Sequence, residues 1–411
     1  TSFGHKHSLS IGGASDAFRY GLDLGYDDQE GVMKGQNRKK MSAALNLQYQ
    51  HKGLTFRNQM TTTLVNSQES PYGTFADYVR MNPYDTYLDE NGNIGKNMAT
   101  GHSGSPYRNP MYDATLGSFD KGKRHEFYDQ FDVRYYLNKK INFKADITLG
   151  YIVSDSDRFT DPAAARFQNT EKKGQLVTSR QKQSSYDFNL KGYYNDQIGR
   201  HNINFVVGLN IREEKTNYEG FTYSGFPEGG FSAPGYAKDI DTKSFIEGKN
   251  RLFGALAVLN YSYNDVIFGD LSGRIDGSSQ FGSNKRFAPF FSTGAGVNIH
   301  NLKFFKENTP WLTQFKLRGT YGMTGKVSFP SYAAQNKYEM FTDWQYPTGD
   351  GVQIMYLGNP NLKWERTLQT DVGFEFEILN GLFYAKYNYY IKDTHDNIAD
   401  MFIPTSSGFT S

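Results

Sequence analysis

The chain has 411 residues and Lys+Arg 45 against Asp+Glu 43, a near balance that suggests no nucleic-acid or acidic partner, and with no cysteine it cannot build a disulfide-stapled domain or a cysteine zinc site. Mean hydropathy is −0.66, and no apolar run is long enough for a membrane helix, which excludes a helical membrane protein but not a barrel, whose polar lumen dilutes the hydropathy. The chain is long for a single globular domain, yet no Pro-rich or Ser-rich linker divides it, a conflict that one large closed sheet resolves.

Thr1-Ser2-Phe3-Gly4 lacks the basic start and apolar stretch of a secretory signal. Candidate strands follow near residues 5–11 and 18–26. In 40–50, Met41, Ala43, Leu45, Leu47 and Tyr49 alternate with Ser42, Ala44, Asn46, Gln48 and Gln50. His51-Lys52-Gly53 turns the chain into 54–66, and a long connection over 67–124 follows. Phe127, Asp129, Phe131, Val133, Tyr135 and Leu137 then share one face of 125–137. After Asn138-Lys139-Lys140 comes the clearest element, 141–154. There Ile141, Phe143, Ala145, Ile147, Leu149, Tyr151 and Val153 oppose Asn142, Lys144, Asp146 and Thr148. A period of two sustained this far specifies an extended strand with one apolar and one polar face. Soluble strands run to about 5–6 residues, whereas a tilted strand crossing a bilayer needs about 9–11. This segment fits the second class. A slip of one residue would turn Lys144 and Asp146 onto the apolar side, at about 2–4 kcal/mol for a midplane lysine, so register is strongly fixed.

Further strands are expected over 184–194, 201–213 (Ile203, Phe205, Val207, Leu209, Ile211), 250–263, 266–277, 287–299, 313–322, 366–378 (Leu368 to Ile378) and 382–392. The total is about fourteen. Asn195 to Arg200, Asn264-Asp265 and Leu379-Asn380-Gly381 are short connections; 155–183, 214–249 and 323–365 are long ones. A strict alternation of short turns and long loops is the outer-membrane barrel arrangement, with the short turns on the periplasmic side. Tyr135-Tyr136, Tyr193-Tyr194, and Tyr261 with Tyr263 precede successive short turns, as an aromatic girdle at one membrane interface requires. The fold expected is all-β: an antiparallel transmembrane β-barrel segment over 1–411, one domain, incomplete at both ends.

Chemical motifs mostly fail. Gly322-Met323-Thr324-Gly325-Lys326-Val327 has Thr320 where a phosphate loop needs its first glycine and Val327 where it needs Ser or Thr. It reads as a strand end. Asp89, Asn91 and Asn93 have calcium-loop spacing, but Ile94 replaces the required glycine and Thr100 the final acid; a tight turn at Asn91-Gly92 is the simpler reading. His5 and His7 lack a third metal ligand. Asp371, Glu375 and Glu377 share a strand face that a barrel turns to its watery lumen. No metal, cofactor or catalytic set is expected. Exposed aromatics among loop glycines are the candidates for a substrate: Tyr218, Phe221, Tyr223, Phe226, Phe231 and Tyr236 within 217–236, with Trp344 and Tyr346 in a second loop. They suit stacking on sugar rings or packing on peptide side chains; packing on one another or on a partner is the alternative.

Several ordered segments carry a resemblance. Asn250-Arg251-Leu252-Phe253-Gly254 leads into Leu259-Asn260-Tyr261-Ser262-Tyr263-Asn264-Asp265, followed by Arg274-Ile275-Asp276-Gly277-Ser278-Ser279-Gln280-Phe281-Gly282. Lys316-Leu317-Arg318-Gly319-Thr320-Tyr321-Gly322-Met323-Thr324-Gly325, Asn359-Pro360-Asn361-Leu362-Lys363-Trp364-Glu365 and Pro404-Thr405-Ser406-Ser407-Gly408-Phe409 complete the series. With Leu9-Ser10-Ile11-Gly12-Gly13 and Leu24-Gly25-Tyr26 near the start, their order resembles the SusC/RagA family of TonB-dependent outer-membrane transporters. The resemblance implies a barrel of about 22 strands closed by a plug, energy from the TonB complex, a SusD-like surface lipoprotein over the mouth, and a glycan or oligopeptide as cargo. A passive porin-like channel, a soluble or surface β-rich carbohydrate-binding protein, and an outer-membrane enzyme stay open as alternatives.

Overall fold

In the computed structural model, which describes residues 2–79, 81, 84–98, 108–327, 331–398 and 406, alternation becomes one antiparallel sheet. Its strands are β1 (Gly4–Ala14), β2 (Phe18–Glu30), β3 (Asn37–His51), β4 (Leu54–Gln68), β5 (Phe119–Tyr136), β6 (Ile141–Thr160) and β7 (Gln175–Ile198). They continue as β8 (His201–Ser224), β9 (Asp239–Tyr263), β10 (Ile267–Ser278), β11 (Phe287–Asn298) and β12 (Leu312–Lys326). A separate hairpin, β13 (Lys337–Tyr346) and β14 (Gly349–Tyr356), precedes β15 (Glu365–Ile378) and β16 (Phe383–His395). Fourteen strands pair in the order β1 to β12, β15, β16, with β1 and β16 at its two ends, and β13 pairs with β14 alone. Short helices α1 (Phe75–Val79), α2 (Pro110–Asp113) and α3 (Lys303–Asn308) lie in connections. No described helix is long and apolar enough to cross a membrane.

Directly opposed residues of an antiparallel pair share a face, so register extends the two-faced pattern across the sheet. One row runs Phe56–Val133–Ala145–Leu190–Leu209–Ala255–Ile275 across β4 to β6 and β7 to β10. The next runs Asn58–Phe131–Ile147–Phe188–Ile211–Phe253. Apart from Asn58, these rows form a continuous apolar surface whose large side chains are exposed, Leu190, Leu209 and Ile211 by 41%, 43% and 41%. A sheet that leaves such residues uncovered is built for a lipid solvent. Tyr135, Tyr194, Tyr261 and Tyr263 stand on this face at its short-turn margin, where the girdle was expected. Higher on the same face the chemistry changes. Asn66–Lys123–Asp155–Arg180–Glu219 form a charged row, tied by Arg180 Nε to Asp155 Oδ1 at 2.9 Å. On β5 and β6 that row bounds the lipid-facing belt; on β8 and β9 charge begins lower, where Glu213 pairs with Lys249 and Arg251.

Two expectations need correction. The strands on the long-loop side are longer than the alternation indicated: β7 and β8 have 24 residues and β9 has 25, so much of 155–183 and 214–249 is ladder, not loop. Nor is the segregation of connection lengths strict. β11 and β12 are joined on the short-turn side by 299–311, which holds α3, while β10 and β11 are joined on the other side by only 279–286. The short turns are closed by left-handed residues, Lys52 at φ 51°, and Asn264 and Asp265 at φ 50° and 55°. Asn tolerates this region best among non-glycine residues.

At the short-turn side, below Tyr194, Lys140 Nζ lies 2.8 Å from Asp196 Oδ2, which also accepts the Tyr194 hydroxyl at 2.9 Å. The Lys140 hydrogen bond holds the Asp196 carboxyl below the ordinary carboxylate range. Because folding lowers this pKa, the stabilisation is full above the unfolded carboxylate value and is lost as pH falls through the folded one. The thermal midpoint gap between the native protein and Asp196→Asn is therefore expected to be present at neutral pH and to close on acidification. A gap that stays constant through the acid range would show that the pair contributes nothing.

Candidate functional site: a polar wall beneath folded outer loops

The face opposite the apolar belt is hydrophilic and internally satisfied. Arg57–Asp132–Asp146–Asn189–Asn210–Gly254–Asp276 form one row from β4 to β10. Asn189 Nδ2 donates to Asp146 Oδ2 and Asp187 Oδ1, both at 2.9 Å. Asn210 Nδ2 donates to Asp187 Oδ1 and Asn189 Oδ1, both at 2.8 Å. Lys144 Nζ stands 3.2 Å from Asp146 Oδ1. Gly254 leaves room for the Arg274–Asp276 pair: a Cβ there would lie 2.6 Å from Arg274 Nη2. Further round, Glu375 meets Lys386 at 3.3 Å and accepts from Gln314 at 3.3 Å, so this carboxylate is committed to its neighbours. Such a wall presents hydrogen-bonding side chains at successive heights, with Val206, Leu256 and Val258 as apolar exceptions on β8 and β9.

Above the wall, connections fold into structure. In 69–118, Asp89 Oδ1 accepts N–H groups of Asn91 and Asn93 at 2.9 and 2.8 Å, and Gly92 takes φ +79°; the segment is a tight turn. Asn109 is fully buried and ties the carbonyls of Tyr87 and Gly95 together at 3.0 and 2.7 Å while capping α2 through Met111 N–H. Asn97 and Gln168 exchange amide hydrogen bonds of 3.0 and 2.9 Å, and Asp113 Oδ1 accepts Ala165 N–H at 2.9 Å. These ties bring 69–118 and 161–174 together. Among them no periodicity or motif announced a contact.

The candidate aromatics do not form one cluster. Tyr218, Phe221 and Tyr223 lie in β8, not in a loop. Tyr218 sits opposite Gln181 and Ile246 on the polar face, whereas Phe221 and Tyr223 share the outer face, with Phe221 edge-on to Phe245 at 5.4 Å. Phe226 is 5% exposed, packed edge-on against Phe159 at 5.3 Å beside Leu176. Phe231 and Tyr236, in 225–238, pair at 5.0 Å and remain exposed. Tyr346 is exposed at the end of β13; Trp344 lies within β13, and its side chain falls outside the described residues.

A second apolar cluster joins two of the recognisable segments. Phe281 stacks on Trp364 at 4.3 Å and Phe290 meets it edge-on at 5.4 Å. Gly282 N–H donates to Leu362 O at 3.0 Å and Asn284 N–H to Pro360 O at 3.1 Å. The segments 274–282 and 359–365 are therefore two halves of one contact at the long-loop rim.

The TonB dependent receptor-like β-barrel family matches residues 55–411. TonB-dependent receptor P26 of Formosa agariphila is 25% identical over 415 residues, covering 99% of this chain and 41% of that protein. TonB-dependent receptor SusC of Bacteroides thetaiotaomicron is 24% identical over 450 residues, covering 100% of this chain and 43% of that protein. The solved RagAB peptide transporter superposes with a TM-score of 0.80 at 22% identity, over 99% of this chain and 46% of that one. The ferric citrate transporter FecA does so with a TM-score of 0.53 at 10% identity, over 96% and 49%. At these identities the solved structures show the fold alone. This chain spans less than half the length of the curated relatives it matches.

Proposed function

This chain belongs to the TonB-dependent receptor-like β-barrel family, and from that premise we propose that it supplies wall and outer loops to an outer-membrane importer of the SusC type. The observation that carries the reading is the pairing of a lipid-facing apolar belt with an internally bonded polar face on the same strands, under loops that are themselves folded. Residues 1–411 act as one wall segment of a larger barrel. TonB energises the transporter through parts outside this segment, and a SusD-like lipoprotein covers its mouth. The cargo is an oligosaccharide or oligopeptide too large for passive pores. The RagAB peptide transporter, among the similar solved structures, supports a peptide within that class of cargo.

Uptake of labelled oligosaccharides and peptides by cells carrying the full-length protein tests this directly. Uptake is expected to fall to background when TonB is deleted or the proton gradient is collapsed. Uptake that continues unchanged under both treatments would identify a passive channel instead.

A further inference from the structure

Two guanidinium groups converge where the outer connections meet. Arg108 pairs with Asn97 in an isolated β-bridge, and Asn97 is bonded to Gln168. Arg166 lies between Ala165, held by Asp113, and that same Gln168. Both arginines are thus carried to one place by the ties between 69–118 and 161–174. Arg166 Nη2 donates to Gln175 Oε1 at 2.6 Å, and its guanidinium lies 4.6 Å over the Phe167 ring. Its Nε is buried with no acceptor. Gln175 belongs to the polar face of β7, so this arginine stands at the upper end of the polar wall.

Asp113 offsets only part of the Arg166 charge. Arg158, nearby, is ion-paired to Asp120 at 2.6 Å, but among the described residues neither Arg108 nor Arg166 has an ion pair. The sequence 99–107, running into Arg108, contains no carboxylate. Arg108 borders a cleft of about 500 Å³ with Pro71, Asp77, Met81 and Asp113. The two acids in the cleft are engaged by their own loops, Asp77 with Thr74 N–H at 2.7 Å and Asp113 with Ala165 N–H at 2.9 Å. Burial, and next the charge of Arg108, push the Arg166 guanidinium below its ordinary value. Two like charges held together with a buried donor unused lower their energy by taking an anion, and the planar fork of arginine matches a carboxylate.

We propose that Arg108 and Arg166 form a receptor for carboxylate groups on the transported oligomer, so that acidic cargo is selected at the mouth. The proposal rests on the importer reading above and narrows its substrate class.

The test titrates the full-length transporter in micelles with two matched pairs: a uronic-acid oligosaccharide against its methyl ester, and a glutamate-rich peptide against its glutamine counterpart. At least one charged probe is expected to bind about tenfold or more tightly than its neutral twin, and the pair that shows the preference identifies the source of the carboxylate. Arg108→Gln, at an exposed position, should erase the preference; Arg166→Gln should act in the same direction. Equal binding of both twins in both pairs, or a preference that survives both variants, overturns the proposal. Energised uptake without charge preference removes the arginine receptor and leaves the importer standing. Charge-selective binding without energised uptake does the opposite.

Discussion

Replacing Asp129 by lysine is expected to prevent stable assembly in the membrane. Asp129 and Asn58 are the polar exceptions in the middle of the belt on β4 and β5, with Asn58 opposite Leu47 and Phe131, and Asp129 opposite Met60 and Leu149. They satisfy one another: Asn58 Nδ2 donates to Asp129 Oδ1 at 2.5 Å. A midplane lysine on a lipid-facing surface costs about 2–4 kcal/mol, and the stranded Asn58 amide adds about 1–3 kcal/mol. Asp129→Leu should destabilise by the second amount alone, and Asn58→Leu by more, because it strands a carboxylate and not an amide. The double replacement Asn58→Leu with Asp129→Leu should recover most of the loss, since it removes both polar groups together. Denaturant unfolding of the full-length protein in micelles measures all four, and a double variant no better than the worse single one would falsify the coupling. The pair also has a reason to exist. β4 and β5 are joined by the long 69–118 connection, so no tight turn fixes their register, and a slip would leave two polar groups alone in hydrocarbon.

Trp364→Ala is the second large effect expected. Trp364 is 7% exposed and is the common neighbour of Phe281 and Phe290, so truncation empties the centre of the cluster at about 3–5 kcal/mol. The loss should be local: protease cleavage within 279–286 and 357–364 should rise steeply while the belt keeps its heat resistance. Gly282→Val should reproduce the phenotype from the other side, because a Cβ there would lie 2.0 Å from the Pro360 carbonyl oxygen. Unaltered proteolysis in both variants would mean that the rim is held by other contacts.

These two cases also show where the sequence was legible. Ile141 to Val153 announced its faces because lipid on one side and water on the other impose opposite chemistry on alternate residues. Above Val153 that contrast ends. Asp155 and Arg180 on the outer face are as polar as Ser154 and Gln181 on the inner one, so the ladder continues through β6 to β9 without a visible period. The hairpin of β13 and β14 was hidden for the same reason, within 323–365. Segments 274–282 and 359–365 were recognisable as motifs, yet nothing in their order said that Phe281 stacks on Trp364. The mouth was the least legible region. Asn97 and Gln168 are single amides in separate loops, and such contacts leave no mark on local composition. The aromatic candidates are scattered because glycine-rich sequence around Phe226 and Tyr223 concealed a strand and a buried cluster.

On the importer reading proposed above, the height of β7 to β9 bears on how tightly cargo would be held. Fixing a residue's backbone costs about 1–2 kcal/mol. In a mouth built of long flexible loops, much of that cost would fall due when the ligand arrives and would be subtracted from its affinity. Here the ladder orders β7 to Gln175, β8 to Ser224 and β9 from Asp239 when the chain folds, leaving as outer connections only 161–174 before β7 and 225–238 between β8 and β9. Preorganisation of this kind favours rapid capture and a small entropic penalty, and it moves selectivity from loop rearrangement to the fixed chemistry of the rim.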